Sequence, residues 1–162
     1  MKMAAGRKKQ KAQGNQSKTI QNRRARHDYE LGDSLVLGME LTGAEVKSLR
    51  MGHGQLTGSY VTVKGAEIFL IGATINGVKG VIIDESDQAR TRKLLAKRRE
   101  IDALIAAKQQ GRTIVPLEIL TRGRYIKLRL AVGKGKREYD KREVLKRRDA
   151  DRQAQNAIRS HQ

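Results

Sequence analysis

The sequence contains one adjacent pair of residues that could perform acid-base chemistry, His27 and Asp28. A histidine and a carboxylate can together move a proton, as in a nuclease. Adjacent side chains rarely form a working dyad, however, and the other two histidines, His53 and His161, are distant in the sequence. We therefore expect no catalytic site, and we interpret His27 as a packed or partner-bound histidine beside Tyr29.

Other residues that could support chemistry are equally sparse. The chain contains no cysteine, which excludes a disulfide scaffold, a thiol nucleophile and thiolate metal sites. The histidines are too scattered to form a local ligand pair, so we expect neither a metal nor a cofactor. The glycines at 52–58 lack the spacing of a dinucleotide-binding loop, and we interpret them as a helix end and a loop. Residues 133–136 lack the spacing and the hydroxyl group of a P-loop, and we interpret them as a basic hinge.

Charge narrows the choice of partner. The formal net charge is +18, and the pI is about 10.6. Residues 1–26 contain nine Lys and Arg and no acidic residue, whereas residues 27–132 have a net charge of +4 and residues 133–162 of +5. A nearly balanced centre between two basic ends is typical of a folded body with arms that bind a polyanion. Nucleic acid is therefore the predicted partner. We expect no membrane partner, because neither arm has the apolar face of an interfacial helix. We expect a cytoplasmic location, because the longest apolar runs are only a few residues and the N-terminus has no apolar region of a secretory signal.

Lys127 and Arg129 are candidates for contacting that nucleic acid. They stand two residues apart in a predicted strand, so both project from the same face of a sheet. Such a face can simply be solvated, but the basic surroundings favour contact with phosphates. Aromatic residues make up only 3% of the chain, whereas proteins that bind single strands stack bases on aromatic side chains. We therefore expect recognition of structured RNA by charge and shape.

The first half of the body is predicted to be mainly β. Alternating apolar residues predict a strand at 35–41. Thr42 and Glu45 form a capping box that starts a short helix, which Gly52 ends. Two strand-rich runs, Tyr60–Lys64 and 67–75, surround a hairpin turn, and residues 55–59 lead into the first run.

The second half is predicted to be a long helix followed by two strands. Residues 89–110 have helical composition and spacing. Pro116 restricts the strand Thr113–Leu120 to an edge, a start or a bulge, and residues 125–132 form the clearest strand. Because strands and helices do not alternate regularly, these elements favour an antiparallel barrel of the OB type.

Three segments are expected in the chain. They are a disordered basic arm at 1–21, the RNA-binding barrel at 22–132 and a basic tail at 133–162. The tail has helix-supporting pairs such as Glu138 with Arg142, but too few apolar side chains to bury a stable face. We therefore expect it to become helical on an anionic partner.

Four segments resemble, in order and spacing, the SsrA-binding protein (SmpB) family: NRRARHDY at 22–29, LTGAEVKSLR at 41–50, RTRKLL at 90–95 and GKGKREYDKR at 133–142. The resemblance covers about residues 22–152. It implies an OB-fold barrel that binds the tRNA-like part of transfer-messenger RNA and delivers it to stalled ribosomes, without an enzymatic step. It also implies that the tail enters the decoding centre and the empty message channel along 16S ribosomal RNA. Elongation factor Tu would be a further component of the delivered complex, and we expect the chain to be a monomer.

The resemblance and the basic surface together give two sets of candidate residues. The RNA-binding set is Asn22, Arg24, Arg26, His27, Lys47, Arg90, Arg92, Lys93, Leu95, Lys127, Arg129, Lys134 and Lys136. The ribosome-binding set in the tail is Gly135, Tyr139, Asp140, Lys141, Arg142, Lys146, Arg147, Arg152 and Ile158.

Two positions depart from the family pattern. An outward strand position at which some members have a Glu contributing to RNA binding is Val36 here. The bulky apolar pair expected near the end of the tail is reduced to Ala157 and Ile158, which leaves Ile158 as the candidate anchor.

A structural ribosomal or ribosome-assembly protein that binds ribosomal RNA is the alternative function.

Overall fold

The elements follow the predicted order in most segments. The computed structural model describes residues 19–160, so most of the arm predicted at 1–21 lies outside the described residues. The strands and helices are β1 (Ile20–Gln21), α1 (Ala25–Asp28), β2 (Tyr29–Met39), α2 (Gly43–Arg50), β3 (Gly54–Gln55), β4 (Tyr60–Lys64), β5 (Glu67–Ile71), β6 (Thr74–Ile75), α3 (Glu85–Gln88), β7 (Arg92–Leu95), α4 (Arg98–Gln109), β8 (Thr113–Leu120), β9 (Lys127–Gly135) and α5 (Glu138–Ser160).

A seven-stranded antiparallel sheet forms the body, in the order β1-β8-β9-β2-β7-β5-β4. β4, at one end of this sheet, also contacts β8, near the other end, so the sheet curls back toward itself. This confirms the predicted mainly β architecture with flanking helices, and the curvature agrees with a barrel.

The core fills the inside of the curved sheet. Alternate residues of β2 and β9, such as Leu37, Leu128 and Leu130, point inward and are fully buried. Leu49 of α2 and Leu104 of α4 complete the same cluster. Each such side chain contributes roughly 1.5–3 kcal/mol by leaving water. The residues between them on the strands are left for the outer surface.

The start of β2 departs from the prediction. The strand begins at residue 29 instead of 35, because its first residues pair with the end of β9, where Leu31 lies opposite Gly133. A register shift after Leu31 separates this part from the rest of the ladder. A Cβ atom on Gly133 would lie 3.1 Å from the Glu30 carbonyl oxygen, so glycine permits the close approach. Residues 133–135 therefore continue a strand, and the hinge predicted at 133–136 is wrong for these three.

The helix α2 confirms the predicted capping box. The Thr42 hydroxyl accepts the Glu45 backbone N–H at 3.3 Å, and the Glu45 carboxylate accepts the Thr42 backbone N–H at 2.9 Å. The helix ends at Arg50, and Gly52 follows with a φ of 86°. This left-handed conformation favours glycine, as expected at a helix end.

The helix predicted over 89–110 is only half correct. Residues 92–95 form β7, which pairs with β5 and β2, and the helix α4 begins at Arg98. Arg92 and Leu94 point inward while Lys93 and Leu95 point outward, which is the alternation of a strand. Pairing with strands that are distant in sequence therefore overrides the helical composition.

The other strands refine the prediction. The Tyr60–Lys64 strand and its hairpin are confirmed. Gln55, however, pairs with Thr74 in a separate two-stranded sheet and does not lead into β4. β8 shifts register between Pro116 and Glu118, which confirms a bulge there.

The tail forms one helix, α5, over Glu138–Ser160. The sequence predicts helix for this segment on an anionic partner, and the structure already shows it as helix. Its described side chains are mostly exposed, and Val144 is half-buried. Tyr139 and Ile158 belong to the helix, but their side chains lie outside the described part. Among residues 19–160, no helix is both long and apolar enough to span a bilayer.

Candidate nucleic-acid interface

Three neighbouring strands present a row of candidate residues to solvent. Lys127 of β9 lies opposite Gly38 of β2, which in turn lies opposite Leu95 of β7. In the next row, Arg129 lies opposite Val36. We call Lys127, Gly38, Leu95, Arg129 and Val36 the outer sheet face. Their inward neighbours fill the core, so these residues point away from it.

Gly38 opens a groove in the outer sheet face. A Cβ atom at this position would lie 3.3 Å from the Cβ atom of Leu95, so any larger residue would crowd the floor. The groove has a volume of about 440 Å³ and a mainly apolar lining that includes Val46 and Tyr125, with Lys127 at its rim. The Arg124 guanidinium lies 5.3 Å from the centre of the Tyr125 ring, so a second cation borders it.

The cations near this face differ in whether they are paired. Arg129 forms an ion pair with Glu118, and Lys93 forms one with Glu67. The hydrogen bond to Glu67 raises the pKa of Lys93. Lys127 is exposed, and within residues 19–160 no carboxylate lies within ion-pair distance of it. Lys127 is therefore the cation of this face that is most ready to meet a phosphate.

Two candidate arginines belong to a partly buried network around Glu45. Arg90 donates to the Glu45 carboxylate at 2.6 and 2.9 Å, and Arg92 donates to it at 3.0 Å. Arg92 is 0% exposed and also donates to the carbonyl oxygens of Ala73 and Gln88, among others. A phosphate contact by Arg92 would require this network to open. Arg90 is partly exposed, so it could contact a phosphate while the network stays closed.

The charges of this network stabilise one another. Burial would by itself raise the pKa of Glu45, but the hydrogen bonds from Arg90 and the Thr42 N–H and the charge of Arg92 hold it below its usual range. Burial lowers the pKa of Arg92, and the hydrogen bond to Glu45 raises that of Arg90. The network fixes α2 and the start of β7 relative to each other, and thereby positions Leu95.

A second set of candidates surrounds the short helix α1, and we call Arg24, Arg26, His27 and Asp28 the α1 patch. Arg24 and Arg26 are exposed. His27 Nδ1 and Asp28 Oδ1 are 2.9 Å apart, and the Lys141 Nζ atom of α5 lies 3.5 Å from the same oxygen. The hydrogen bond with His27, and more weakly Lys141, lower the pKa of Asp28. The side chains of this adjacent pair are thus in contact.

Three hydrogen bonds hold Asn22 and Lys136, two neighbours of the α1 patch, in place. Asn22 donates from its side-chain amide to the Pro116 carbonyl oxygen at 3.0 Å. Lys136 donates from Nζ to the Arg26 carbonyl oxygen at 2.9 Å and from its backbone N–H to the Asp28 carbonyl oxygen at 2.9 Å. Lys136, which lies two residues before α5, is therefore anchored beside α1.

A wide groove of about 670 Å³ joins the outer sheet face and the α1 patch. Its lining includes Val36 and Arg129 of the outer sheet face, Arg26 of the α1 patch, and Lys136. Three of the RNA-binding candidates, Arg26, Arg129 and Lys136, therefore line one groove.

The remaining candidates lie elsewhere on the molecule. Lys47 is exposed on α2, and Lys134 is exposed on β9 opposite Glu30. Gly135 pairs with Tyr29 at the end of β9. Five predicted tail residues are exposed along α5: Asp140, Arg142, Lys146, Arg147 and Arg152.

Sequence reasoning missed two features of this surface. Glu45 was identified only as a helix cap, although it also binds two arginines. Arg50 of α2, which was not among the candidate residues, donates to the carbonyl oxygens of Thr121, Gly123 and Arg124. Nothing in the local sequence signals these distant contacts.

Among residues 19–160, no group of His, Asp and Glu side chains could hold a metal ion.

Comparison with known proteins gives this surface a family context. The family described as "SmpB protein" matches residues 19–160 of the chain. The chain belongs to the SmpB family. Relatives named SsrA-binding protein include those of Geobacillus sp. strain WCH70 (43% identical, covering 88% of this chain and 92% of the relative), Coxiella burnetii strain Dugway 5J108-111 (42%, 86% and 89%) and Azotobacter vinelandii (44%, 90% and 92%).

A solved SmpB structure also resembles the chain. It is described as "tmRNA-SmpB: a journey to the center of the bacterial ribosome", and the TM-score is 0.62 at 37% sequence identity. The match covers 78% of this chain and 94% of the other. The resemblance to the SmpB family inferred from four sequence segments is therefore confirmed.

Proposed function

We propose that this chain is an RNA-binding adaptor of trans-translation. It binds the tRNA-like part of transfer-messenger RNA and carries it to stalled ribosomes, and it has no catalytic step of its own. The observation that carries this proposal is the family match over residues 19–160, together with relatives named SsrA-binding protein. The exposed cations Arg24, Arg26 and Lys127 support it, because a folded RNA is recognised mostly by its shape and through its phosphates.

We propose the outer sheet face as the primary RNA site. Lys127 supplies an exposed charge beside the apolar groove at Gly38, and Leu95 offers an exposed apolar contact. Arg26 and Lys136 extend the site along the wide groove. Phosphate contacts set the orientation of the RNA, while the shape of the groove limits which RNA fits.

The Lys127→Ala variant tests this site. Its affinity for a tRNA-like fragment of transfer-messenger RNA should fall, and the slope of log affinity against log salt should flatten by about one unit. Lys64→Ala is the matched control, because Lys64 is exposed at the end of β4 and lines neither the groove beside Lys127 nor the wide groove. A salt slope that is equal in both variants would overturn the assignment of Lys127.

The same titration separates the adaptor from the ribosomal-protein alternative. A preference for the transfer-messenger RNA fragment over a 16S ribosomal RNA fragment of equal length, kept at raised salt, supports the adaptor. A preference for the ribosomal fragment would instead support a structural or ribosome-assembly protein.

We also propose that α5 is the part that enters the decoding centre and the empty message channel. Exposed Arg142, Lys146, Arg147 and Arg152 give it the charge to bind ribosomal RNA. Truncation after Tyr139 should leave the affinity for transfer-messenger RNA intact and abolish peptide tagging in a reconstituted translation reaction. Loss of RNA affinity would instead place the tail in the primary RNA site.

The finer partner assignments are proposals of the same kind. We propose a cytoplasmic monomer that is delivered together with elongation factor Tu. Analytical ultracentrifugation of the chain with and without the RNA fragment tests the oligomeric state. Co-sedimentation of elongation factor Tu with the chain, in the presence and in the absence of aminoacylated RNA, tests the larger complex.

A further inference from the structure

Two of the four tyrosines line one cleft beside α1. The cleft has a volume of about 370 Å³ and lies between α1, the start of β4 and the start of β8. Tyr29 and Tyr60 line it together with Asn22 and Arg24. None of these four residues belongs to the outer sheet face. In a chain that contains so few aromatic residues, two tyrosines from positions far apart in sequence meet at one opening.

The lining of this cleft is held in place from several directions. The backbone N–H of Asn22 donates to the Leu117 carbonyl oxygen at 2.7 Å, and its side chain donates to the Pro116 carbonyl oxygen. Tyr29 begins β2 and is half-buried, whereas Tyr60 begins β4 and remains 50% exposed. A half-exposed ring in the lining of this cleft offers a flat apolar surface to a ligand.

The charges around the cleft favour an anionic ligand. Arg24 is exposed at the rim. The one carboxylate in the lining, Asp28, faces His27 and Lys141, so its charge is balanced before a ligand arrives. A tyrosine ring can stack on a base, a guanidinium can contact a phosphate, and a side-chain amide can form a hydrogen bond with the edge of a base. The three groups in this cleft therefore match the parts of a nucleotide.

We propose that this cleft binds a single unpaired nucleotide of RNA. The base stacks on a tyrosine ring, with Tyr60 as the exposed platform, and Arg24 contacts the adjoining phosphate. This inference rests on the proposed RNA-binding function and adds a second site that reads an unpaired base. The unpaired nucleotide comes from the transfer-messenger RNA or from ribosomal RNA, and the experiment distinguishes the two sources.

The test compares two RNA hairpins of equal length, one fully paired and one with a single bulged 2-aminopurine. Binding of the full chain to each is measured by fluorescence anisotropy, and stacking by quenching of the 2-aminopurine. The wild-type chain should bind the bulged hairpin about tenfold more tightly and quench its fluorescence. Tyr60→Ala should remove both effects, whereas Tyr60→Phe should retain them because the ring still stacks.

Two further variants separate this site from the primary one. Arg24→Ala, a change at an exposed position, should also weaken binding of the bulged hairpin selectively. Lys127→Ala should weaken both hairpins equally, and Lys64→Ala, at the other end of β4, should change neither. Failure of the wild-type chain to bind either hairpin would contradict the proposed RNA-binding function. Equal wild-type affinity for the two hairpins, or equal losses in Tyr60→Ala, would overturn the nucleotide site alone.

The source of the nucleotide is found with two natural probes. Tyr60→Ala and Tyr60→Phe are titrated with a tRNA-like fragment of transfer-messenger RNA and with a decoding-region fragment of 16S ribosomal RNA. A tenfold loss in Tyr60→Ala with either fragment, restored in Tyr60→Phe, supports the site and identifies its RNA. No loss with either fragment overturns the proposal.

Discussion

Replacing Glu45 by Gln removes one negative charge from between two arginines and leaves the shape of the side chain almost unchanged. The Glu45 side chain is 2% exposed and that of Arg92 is 0% exposed, so water cannot replace the lost charge. The amide can still accept the Thr42 N–H, but its own NH₂ group faces guanidinium donors. The variant therefore tests the ionic contact with little change in packing.

The expected loss in the free energy of unfolding follows from the burial of Glu45 and Arg92. Removing one partner of a buried ion pair costs about 3–5 kcal/mol, because the other charge stays buried without compensation. Arg92 keeps its bonds to the carbonyl oxygens of Ala73, Asp87, Gln88 and Arg90. These partners disperse part of its charge, so we expect a loss near the lower limit, about 3 kcal/mol. For a chain of this length, that loss lowers the Tm by about 6–12 °C.

Urea denaturation followed by circular dichroism measures this loss, and Glu67→Gln serves as the control. Glu67 pairs with Lys93 where both side chains are about 40–50% exposed, so its replacement should cost less than about 1 kcal/mol.

The Glu45 pKa is lowered in the folded state. Its ionised form therefore stabilises the fold above the unfolded pKa of about 4.3, and this contribution is lost as the pH falls through the lower folded pKa.

The difference in unfolding free energy between the wild-type chain and Glu45→Gln should accordingly narrow below about pH 4.3. An equal loss in Glu45→Gln and Glu67→Gln at pH 7 would refute the reasoning. A difference that stays constant down to acid pH would show that the amide changes packing instead of charge.

Three further predictions concern other parts of the fold. Thr42→Ala removes the hydroxyl that caps α2 and should cost about 1 kcal/mol in urea denaturation, with Thr42→Ser restoring most of it. Leu104→Ala leaves a cavity between α4 and the sheet and should cost about 2–5 kcal/mol, whereas a loss below 1 kcal/mol would mean that α4 is not packed against the core. The pKa of Asp28 is lowered in the folded state, so the contact with Lys141 persists above the ordinary Asp pKa and weakens as the pH falls through the folded value. The protection of the first-turn amides of α5 against hydrogen exchange, expressed relative to the intrinsic exchange rate at each pH, should therefore fall at acid pH, and Lys141→Ala should remove this pH dependence.

Local pattern was sufficient for several elements. The capping box at Thr42 and Glu45, the helix end at Gly52 and the hairpin after Lys64 each depend on residues within a few positions of one another. The alternation of Leu128 and Leu130 with charged residues identified β9 and placed Lys127 on the outer face. Such features can be predicted because neighbours along the chain determine backbone conformation and strand faces.

Local pattern failed where distant segments decided the conformation. Residues 92–95 have helical composition, yet they form a strand because β5 and β2 lie on either side of them. Residues 133–135 were interpreted as part of a hinge, yet they extend β9 because the start of β2 pairs with them. In residues 92–95 and 133–135, the backbone hydrogen bonds to distant strands therefore outweigh the local conformational preference of the residues.

The sequence by itself determined that the chain is strongly basic, lacks thiol chemistry, contains mainly strands in its body and resembles the SmpB family. Only the tertiary structure decided which basic side chains are available to RNA. It buries Arg92 against Glu45, pairs Arg129 with Glu118, leaves Lys127 exposed and brings Tyr29 and Tyr60 to one cleft. Composition and spacing count charges and rings along the chain, whereas burial and pairing depend on which distant segments the fold places in contact.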